Sequence, residues 1–367
     1  MLNPELPISE YLLPCNTPFQ NNSDIIILGM GTFGTGYKFS NNKKPEVPEV
    51  IKITHNSEYV LENLQLEERG FFVQAYLKKT CKHICDVYEF GRYQFTNDPA
   101  FLSTDYWKKR EGNPRETYLY NPKIQKYISK MYTTGVYARI EYLDQTLDNF
   151  LENERTKNHS NEDLNRFQKI FYGILDGLNC MHKMGFVHLD IKPENIGLVR
   201  DPDYPNTYMA KLFDFGFATY LNNEIGSNGT PAYIDPDYFE SQNFSLTSDV
   251  YAVGIMLYEF FTKEYVESVA NEESYKSIRR ELIDELEPHL KGLIHGCLHL
   301  VPEARLTAEL AMQNPWFSWI EVTEPGEPPT YYHLRTKKVV FKKPQDLRGG
   351  RTRRNRKRRR GVRKSRR

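Results

Sequence analysis

Two short stretches restrict this chain more than anything else in it. "HLDIKPEN" runs from His188 to Asn195, and "DFG" occupies Asp214 to Gly216. Each follows a short apolar run that reads as a strand, so each reads as a loop at a strand's end. Asp190, Lys192 and Asn195 therefore share one loop, and Asp214 lies on the next. Taken singly, an Asp or Asn at such a place is a turn residue, because its side chain bonds nearby backbone. Taken jointly, that reading fails. An acid, a base, an amide and a second acid on neighbouring loops form a specific combination.

The combination suits phosphoryl transfer, which needs positioning and charge more than covalent help. Asp190 can accept the proton of an attacking hydroxyl. Lys192 can reach the moving phosphoryl group. Asn195 offers a neutral oxygen to a metal, and Asp214 a hard carboxylate of the kind Mg²⁺ prefers. Upstream, "GMGTFG" places Gly29, Gly31 and Gly34 in a turn between two apolar stretches. Without Cβ atoms, backbone N–H groups there can approach phosphates closely. Alone this turn is weak evidence. Lys52 lies on the next strand between Ile51 and Ile53. It either points to solvent by strand alternation or has a partner inside.

The remaining texture divides in two. Up to Leu143 the chain reads as short strands with one helix, "SEYVLENLQLEERGFFVQAYLKK". Residues 96–134 are polar, aromatic and irregular, too long for an ordinary connection, and read as an insertion. After Leu143 the pattern turns helical. "SLTSDVYAVGIMLYEFFT" is apolar nearly all round, the mark of a buried helix.

On these motifs the sequence resembles the eukaryotic protein kinase family, from about Asp24 to Ile320. "GMGTFGTGYK" resembles its nucleotide-binding loop, "VIK" its lysine strand, "HLDIKPEN" its catalytic loop and "DFG" its metal-binding motif. "GTPAYIDPDYF", "SDVYAVGIMLYE" and "EARLTAELAMQNPWF" resemble the activation-segment end, the anchoring helix and the C-terminal helix. The resemblance implies an α+β, two-lobed fold. A small antiparallel-sheet lobe (24–143) would stand above a larger helical lobe (144–320), between an N-terminal extension (1–23) and a Pro-containing linker with a basic disordered tail (321–367). It implies ATP and Mg²⁺ as cofactors, with adenine on the hinge from Glu141 to Leu143 beside Ile140. Gly29, Gly31 and Gly34 would cover the phosphates and Lys52 would hold two of them. Glu68 fits best as the partner of Lys52, with Glu67 and Glu62 as alternatives. Asp190 would be the catalytic base, assisted by Lys192, and Asn195 and Asp214 the metal ligands. Asp249 would anchor the catalytic loop. Lys192 and Thr230 favour Ser/Thr over Tyr, so the implied activity is that of a serine/threonine protein kinase acting on protein substrates. Two other readings are a pseudokinase scaffold and a small-molecule kinase.

Four departures stand out. Gly36 and Val50 replace a valine and an alanine that flank adenine in the family. They read as a compensating pair that conserves volume, or else as a distorted site. Asp237 stands where the family has the glutamate that pairs with the arginine, here Arg305. Leu189 replaces an arginine that senses a phosphate on the activation segment, which implies activity independent of that modification.

Charge is unevenly spread. The net charge is +1, but residues 348–367 hold thirteen Lys/Arg and no Asp/Glu, leaving 36 basic against 48 acidic side chains elsewhere, a net of −12. The tail suits nucleic acid, a nuclear import factor or the acidic body itself. Five cysteines at irregular spacing suggest buried reduced thiols rather than a disulfide framework. No stretch reads as a signal peptide or a membrane span. A monomer in the cytoplasm or nucleus is expected, with no membrane partner.

Overall fold

Apolar residues alternate with polar ones along the first third of the chain, and they pair into a sheet. In the computed structural model, which describes residues 26–30, 34–41, 44–54, 61–94, 134–157, 161–202, 207–221, 229–241, 243–266, 277–322, 328 and 330–344, β1 (Ile26–Met30), β2 (Gly34–Asn41), β3 (Lys44–Thr54), β4 (Val87–Gln94) and β5 (Thr134–Glu141) form one antiparallel sheet. Its order is β1-β2-β3-β5-β4. Helix α1 (Leu61–Lys78) packs on β4 and β5. Val50, Phe71, Cys85, Val136, Ala138 and Ile140 make the core between them.

A second, larger core lies in the helical part. Around it stand α2 (Leu147–Arg155), α3 (Asn161–Lys183), α4 (Pro236–Ser241), α5 (Leu246–Thr262), α6 (Arg280–Asp284), α7 (Pro288–Cys297) and α8 (Ala308–Met312). Every residue of α5 from Thr247 to Phe260 is buried, as its apolar circumference predicts. A small sheet of β6 (Gln145–Thr146), β8 (Ile196–Arg200) and β9 (Tyr208–Leu212) closes this part toward the first sheet. The strand pair β7 (Phe186–Val187) and β10 (Thr219–Tyr220) flanks the loop that begins at His188. With eight helices and four sheets among the described residues, the fold is α+β.

The segment after α1 is sewn to β9. Cys85 N donates to Leu212 O at 2.9 Å and Leu212 N to His83 O at 2.8 Å. Cys81, at the end of α1, forms a disulfide with Cys180 of α3 across 99 residues of sequence. That corrects the expectation of reduced thiols for this pair: the end of α1 lies against α3, with the two Cα atoms 5.7 Å apart. Cys85 and Cys297 are free and buried.

The stretch beyond Ile320 also differs from the expected loose linker. Strands β11 (Trp319–Val322), β12 (Thr330–His333) and β13 (Val339–Val340) form an antiparallel sheet against α3. Tyr331, Tyr332 and Leu334 are buried in it. The aromatic pair supplies apolar area that the neighbouring prolines disguised. The N-terminal extension 1–23, the insertion apart from Thr134, and the basic tail 348–367 lie outside the described residues.

Candidate functional site

Strand alternation decides where Lys52 goes. Val50 and Lys52 share a face of β3, and Val50 is buried in the small core. Lys52 follows it inward. Its Nζ lies 3.1 Å from Glu67 Oε2 on α1 and 2.9 Å from Asp214 Oδ1. The expected partner Glu68 is thereby corrected to Glu67. Adjacent helical positions point about 100° apart, so only one of them can face the strand.

This triad is electrostatically tight. Burial is the largest single influence on Lys52 and opposes its charge, but Asp214 and Glu67 together hold the ammonium above the ordinary lysine range. Burial also acts most strongly on Asp214, pushing it up. The Lys52 charge and hydrogen bond, with smaller pulls from His188 and Lys192, bring it below the usual carboxylate range. Glu67 is pushed up by burial, and Lys52 reverses only part of that.

Helix α1 also lies hard against the segment after Asp214. A Cβ at Gly70 would come within 2.8 Å of Phe215 C and O and 2.9 Å of Gly216 N. Arg69 Nη2 donates to Ala218 O at 2.8 Å. Glu67, Arg69 and Gly70 thus fix one helical turn to the "DFG" backbone.

The loop from His188 is held from below by one buried carboxylate. Asp249 accepts from His188 N through Oδ2 and from Leu189 N through Oδ1, both at 2.9 Å, and its Oδ2 lies 2.8 Å from His182 Nε2. Leu189 takes φ +63, a conformation uncommon for a side-chain-bearing residue, and these bonds hold it there. His188 packs on Phe215 and its Nε2 lies 3.2 Å from Phe213 O, joining the two loops.

Above that anchor the polar side chains converge. Asn195 Nδ2 donates to Asp190 Oδ2 at 2.7 Å and to Asp190 O at 2.8 Å. Lys192 Nζ lies 3.0 Å from Asp190 Oδ2 and donates to Thr230 Oγ1 at 2.8 Å. Thr230 Oγ1 in turn donates to Asp190 Oδ1 at 2.8 Å. An aliphatic hydroxyl therefore already sits between the carboxylate and the ammonium.

At the other end, Glu141 does not turn its carboxylate to the cleft. It accepts from Lys211 Nζ at 3.0 Å and Asp86 N at 3.1 Å. Leu143 packs with Phe213 against the small core. Gly29 pairs with Gly36, and Gly34 with Thr54, in the sheet; Gly31 lies outside the described residues. Val50 Cγ1 stands 3.8 Å from where a Cβ on Gly36 would be, so β3 reaches toward the bare position. Arg305 corrects another expectation. It pairs with Asp235, not Asp237, through Nη1–Oδ2 at 2.5 Å and Nη2–Oδ1 at 2.8 Å. Asp235 precedes Pro236 and accepts from Asp237 N, capping α4 while it meets the arginine.

The donor set fits Mg²⁺. Asp214 is ionised and its side chain about a third exposed, at 32%. Asn195 spends its amide nitrogen on Asp190, leaving its oxygen as the free end of the group. Mg²⁺ is held by one or two protein oxygens together with phosphate and water. Among the described residues no three His, Cys, Asp or Glu side chains gather as a metal cluster, and no helix is long and apolar enough to cross a membrane.

Comparison with known proteins agrees with this geometry. A family model described as a protein kinase domain matches residues 23–317. Ribosomal protein S6 kinase alpha-6 of Mus musculus is 28% identical over 166 residues, covering 41% of this chain and 21% of that protein. Serine/threonine-protein kinase DCLK3 of Mus musculus is 31% identical over 157 residues, 40% of this chain and 20% of that protein. Serine/threonine-protein kinase Nek9 of Mus musculus is 30% identical over 155 residues, 39% and 15% respectively. The chain spans about a fifth or less of the length of these relatives.

Proposed function

From the premise that this chain belongs to the protein kinase family, we propose that it transfers the γ-phosphoryl group of ATP to serine or threonine hydroxyls of proteins. The observation that carries this reading is the Thr230 hydroxyl, bonded at 2.8 Å to both Asp190 and Lys192. A substrate hydroxyl entering beside it meets the same two groups. Asp190 takes its proton as it attacks. Lys192 stabilises the charge that develops on the transferring group. Lys52, fixed by Glu67, holds the α- and β-phosphates, and the turn of Gly29, Gly31 and Gly34 covers them. Asn195 and Asp214 hold Mg²⁺, which neutralises phosphate charge when bound. Glu141 and Leu143 offer hinge backbone to the adenine.

We propose further that no activation-segment phosphate is required. Leu189 has no donor for one, and it is buried at 9% exposure. The Lys52–Glu67 pair and the Asp190 cluster are held by contacts among the chain's own side chains. Incubation with labelled ATP, Mg²⁺ and a generic basic protein tests the activity, and acid hydrolysis of the product identifies the acceptor. Phosphoserine or phosphothreonine is expected; phosphotyrosine alone overturns the specificity.

A further inference from the structure

Helix α1 carries Glu67 to Lys52, and its far end is tied to the helical part. Thr80 N and Cys81 N donate to Leu77 O at 3.0 and 2.9 Å, so Cys81 closes the last turn of α1. Its sulfur is bonded to Cys180 of α3. Two residues further on, His83 seats in a notch of α3. A Cβ at Gly173 would come within 2.9 Å of the His83 ring, and one at Gly177 within 3.1 Å of His83 Cβ and O. His83 Nδ1 lies 2.7 Å from Ala210 O, and its Nε2 lies 3.6 Å from Asp176 Oδ2. Gly173, Gly177 and Cys180 follow one another at spacings of four and three, which puts them on one face of α3. That face receives the end of α1 twice, by fit at His83 and covalently at Cys81.

The covalent contact has leverage. From Cys81 back to Glu67 is roughly 20 Å of helix. A tilt of α1 by about 3° at the Cys81 end therefore moves Glu67 by about 1 Å, and the 3.1 Å contact with Lys52 has little room for that. The two sulfurs differ in access. Cys81 is 1% exposed, whereas Cys180 is half-buried, so a small reagent meets the Cys180 sulfur.

We infer that Cys81 and Cys180 form a reversible thiol–disulfide site that positions Glu67: the bridge holds α1 at the tilt that pairs Lys52, and its reduction by a small dithiol lowers phosphoryl transfer. The inference rests on the kinase activity proposed here and adds its regulation. A thiolate of the dithiol attacks Cys180 Sγ, the Cys81–Cys180 bond breaks, and Cys81 leaves as a thiolate that takes up a proton. The second thiol of the reagent then attacks the reagent's own sulfur in the mixed disulfide and releases Cys180, which takes up the second proton. Two electrons and two protons pass to the protein, and the reagent leaves as a cyclic disulfide. His83, Ile84 and Cys85 still hold the segment to α3 and β9, so reduction loosens α1 without releasing it.

A redox titration tests this. The parent chain is equilibrated in mixtures of reduced and oxidised dithiothreitol, and alkylation mapping gives the bridged fraction. On the same samples, kcat, the KM values for ATP and peptide, and amide hydrogen exchange across residues 61–78 are measured. Loss of the bridge is expected to lower kcat/KM for ATP about three-fold to ten-fold, short of the full cost of a 1 Å misplacement, with the KM for peptide within about two-fold. Exchange in α1 should rise together with that loss, and reoxidation should reverse both. Cys180→Ser should match the reduced parent and ignore the dithiothreitol ratio. Equal α1 exchange in the bridged and reduced parent overturns the inference, as does equal kcat/KM in an active parent. So does a parent that stays unbridged in the oxidised mixture, or a Cys180→Ser variant that responds to the ratio as the parent does. A bridged parent without phosphoryl transfer in any mixture overturns the proposed activity, while the exchange data still decide whether the bridge positions α1.

Discussion

Gly70→Ala separates stability from function in a way the structure specifies. In the interior of a solvated helix, alanine is about 1 kcal/mol better than glycine. Here the new Cβ meets main-chain atoms of Phe215 and Gly216 at 2.8–2.9 Å, about 0.6 Å short of ordinary contact. Those atoms belong to the backbone beside Asp214 and cannot rotate away. Either α1 or the "DFG" strand-end must move by about that amount. Overpacking of this kind costs roughly 1–3 kcal/mol, so the net loss of stability is about 0–2 kcal/mol after the propensity gain. The functional loss is larger. The Lys52–Glu67 contact of 3.1 Å would pass about 3.5 Å, beyond hydrogen-bond range. Misplacement of 1 Å can cost about a hundred-fold in rate, and a ten-fold to hundred-fold fall in kcat/KM is expected here. Peptide phosphorylation and thermal melting on the same preparation measure both. Full activity with a raised melting temperature would refute the close packing of α1 on the "DFG" backbone and the coupling drawn from it.

Other expectations follow from single contacts. Asp235→Ala leaves Arg305 buried without its carboxylate, and a loss of about 3–5 kcal/mol in denaturant unfolding is expected; a loss below about 1 kcal/mol would count against the pairing found. Burial pushes the Cys297 thiol up to about 12, so native alkylation near neutral pH should leave it unmodified, while a non-reducing peptide map should show Cys81 joined to Cys180; separate, alkylated Cys81 and Cys180 peptides would contradict the bridge. Asp214 has its carboxyl lowered in the folded state by Lys52 against burial. Its stabilising contribution is therefore present above the unfolded value of about 3.9 and lost as pH falls through the lower folded value. Melting temperature between about pH 6 and pH 3 should thus fall less steeply in Asp214→Asn than in the parent, and a steeper fall would reverse the sign of the argument.

The loops were legible because their chemistry is local: Asp190, Lys192, Asn195 and Asp214 sit at strand ends, and strand ends can be read from short apolar runs. The buried α5 was legible for a similar reason, since an apolar circumference leaves no face for water. Glu67 was not singled out, because α1 presses on the sheet with one side and on the "DFG" backbone with another, and no single apolar face marks its phase. Asp235 could have been found: an Asp before a proline that opens a helix is placed to cap it, which turns its oxygens back toward Arg305. The Cys81–Cys180 bridge had no local signal, since it depends on how α1 meets α3. Tyr331 and Tyr332 were hidden by the proline-rich run before them.

Phosphoryl transfer by phosphatase-treated protein, parent against Asp190→Asn, tests the central claim most directly. With labelled ATP, Mg²⁺ and a serine/threonine peptide, the account predicts transfer at a rate within the range of about 1–100 per second typical of such enzymes, and a loss of a hundred-fold or more in Asp190→Asn, since general base catalysis contributes about 10²–10⁴-fold. Dephosphorylation should leave the parent's rate unchanged within about two-fold, because Leu189 cannot bind a phosphate. Equal transfer by parent and variant, or no transfer above background by either, would contradict it.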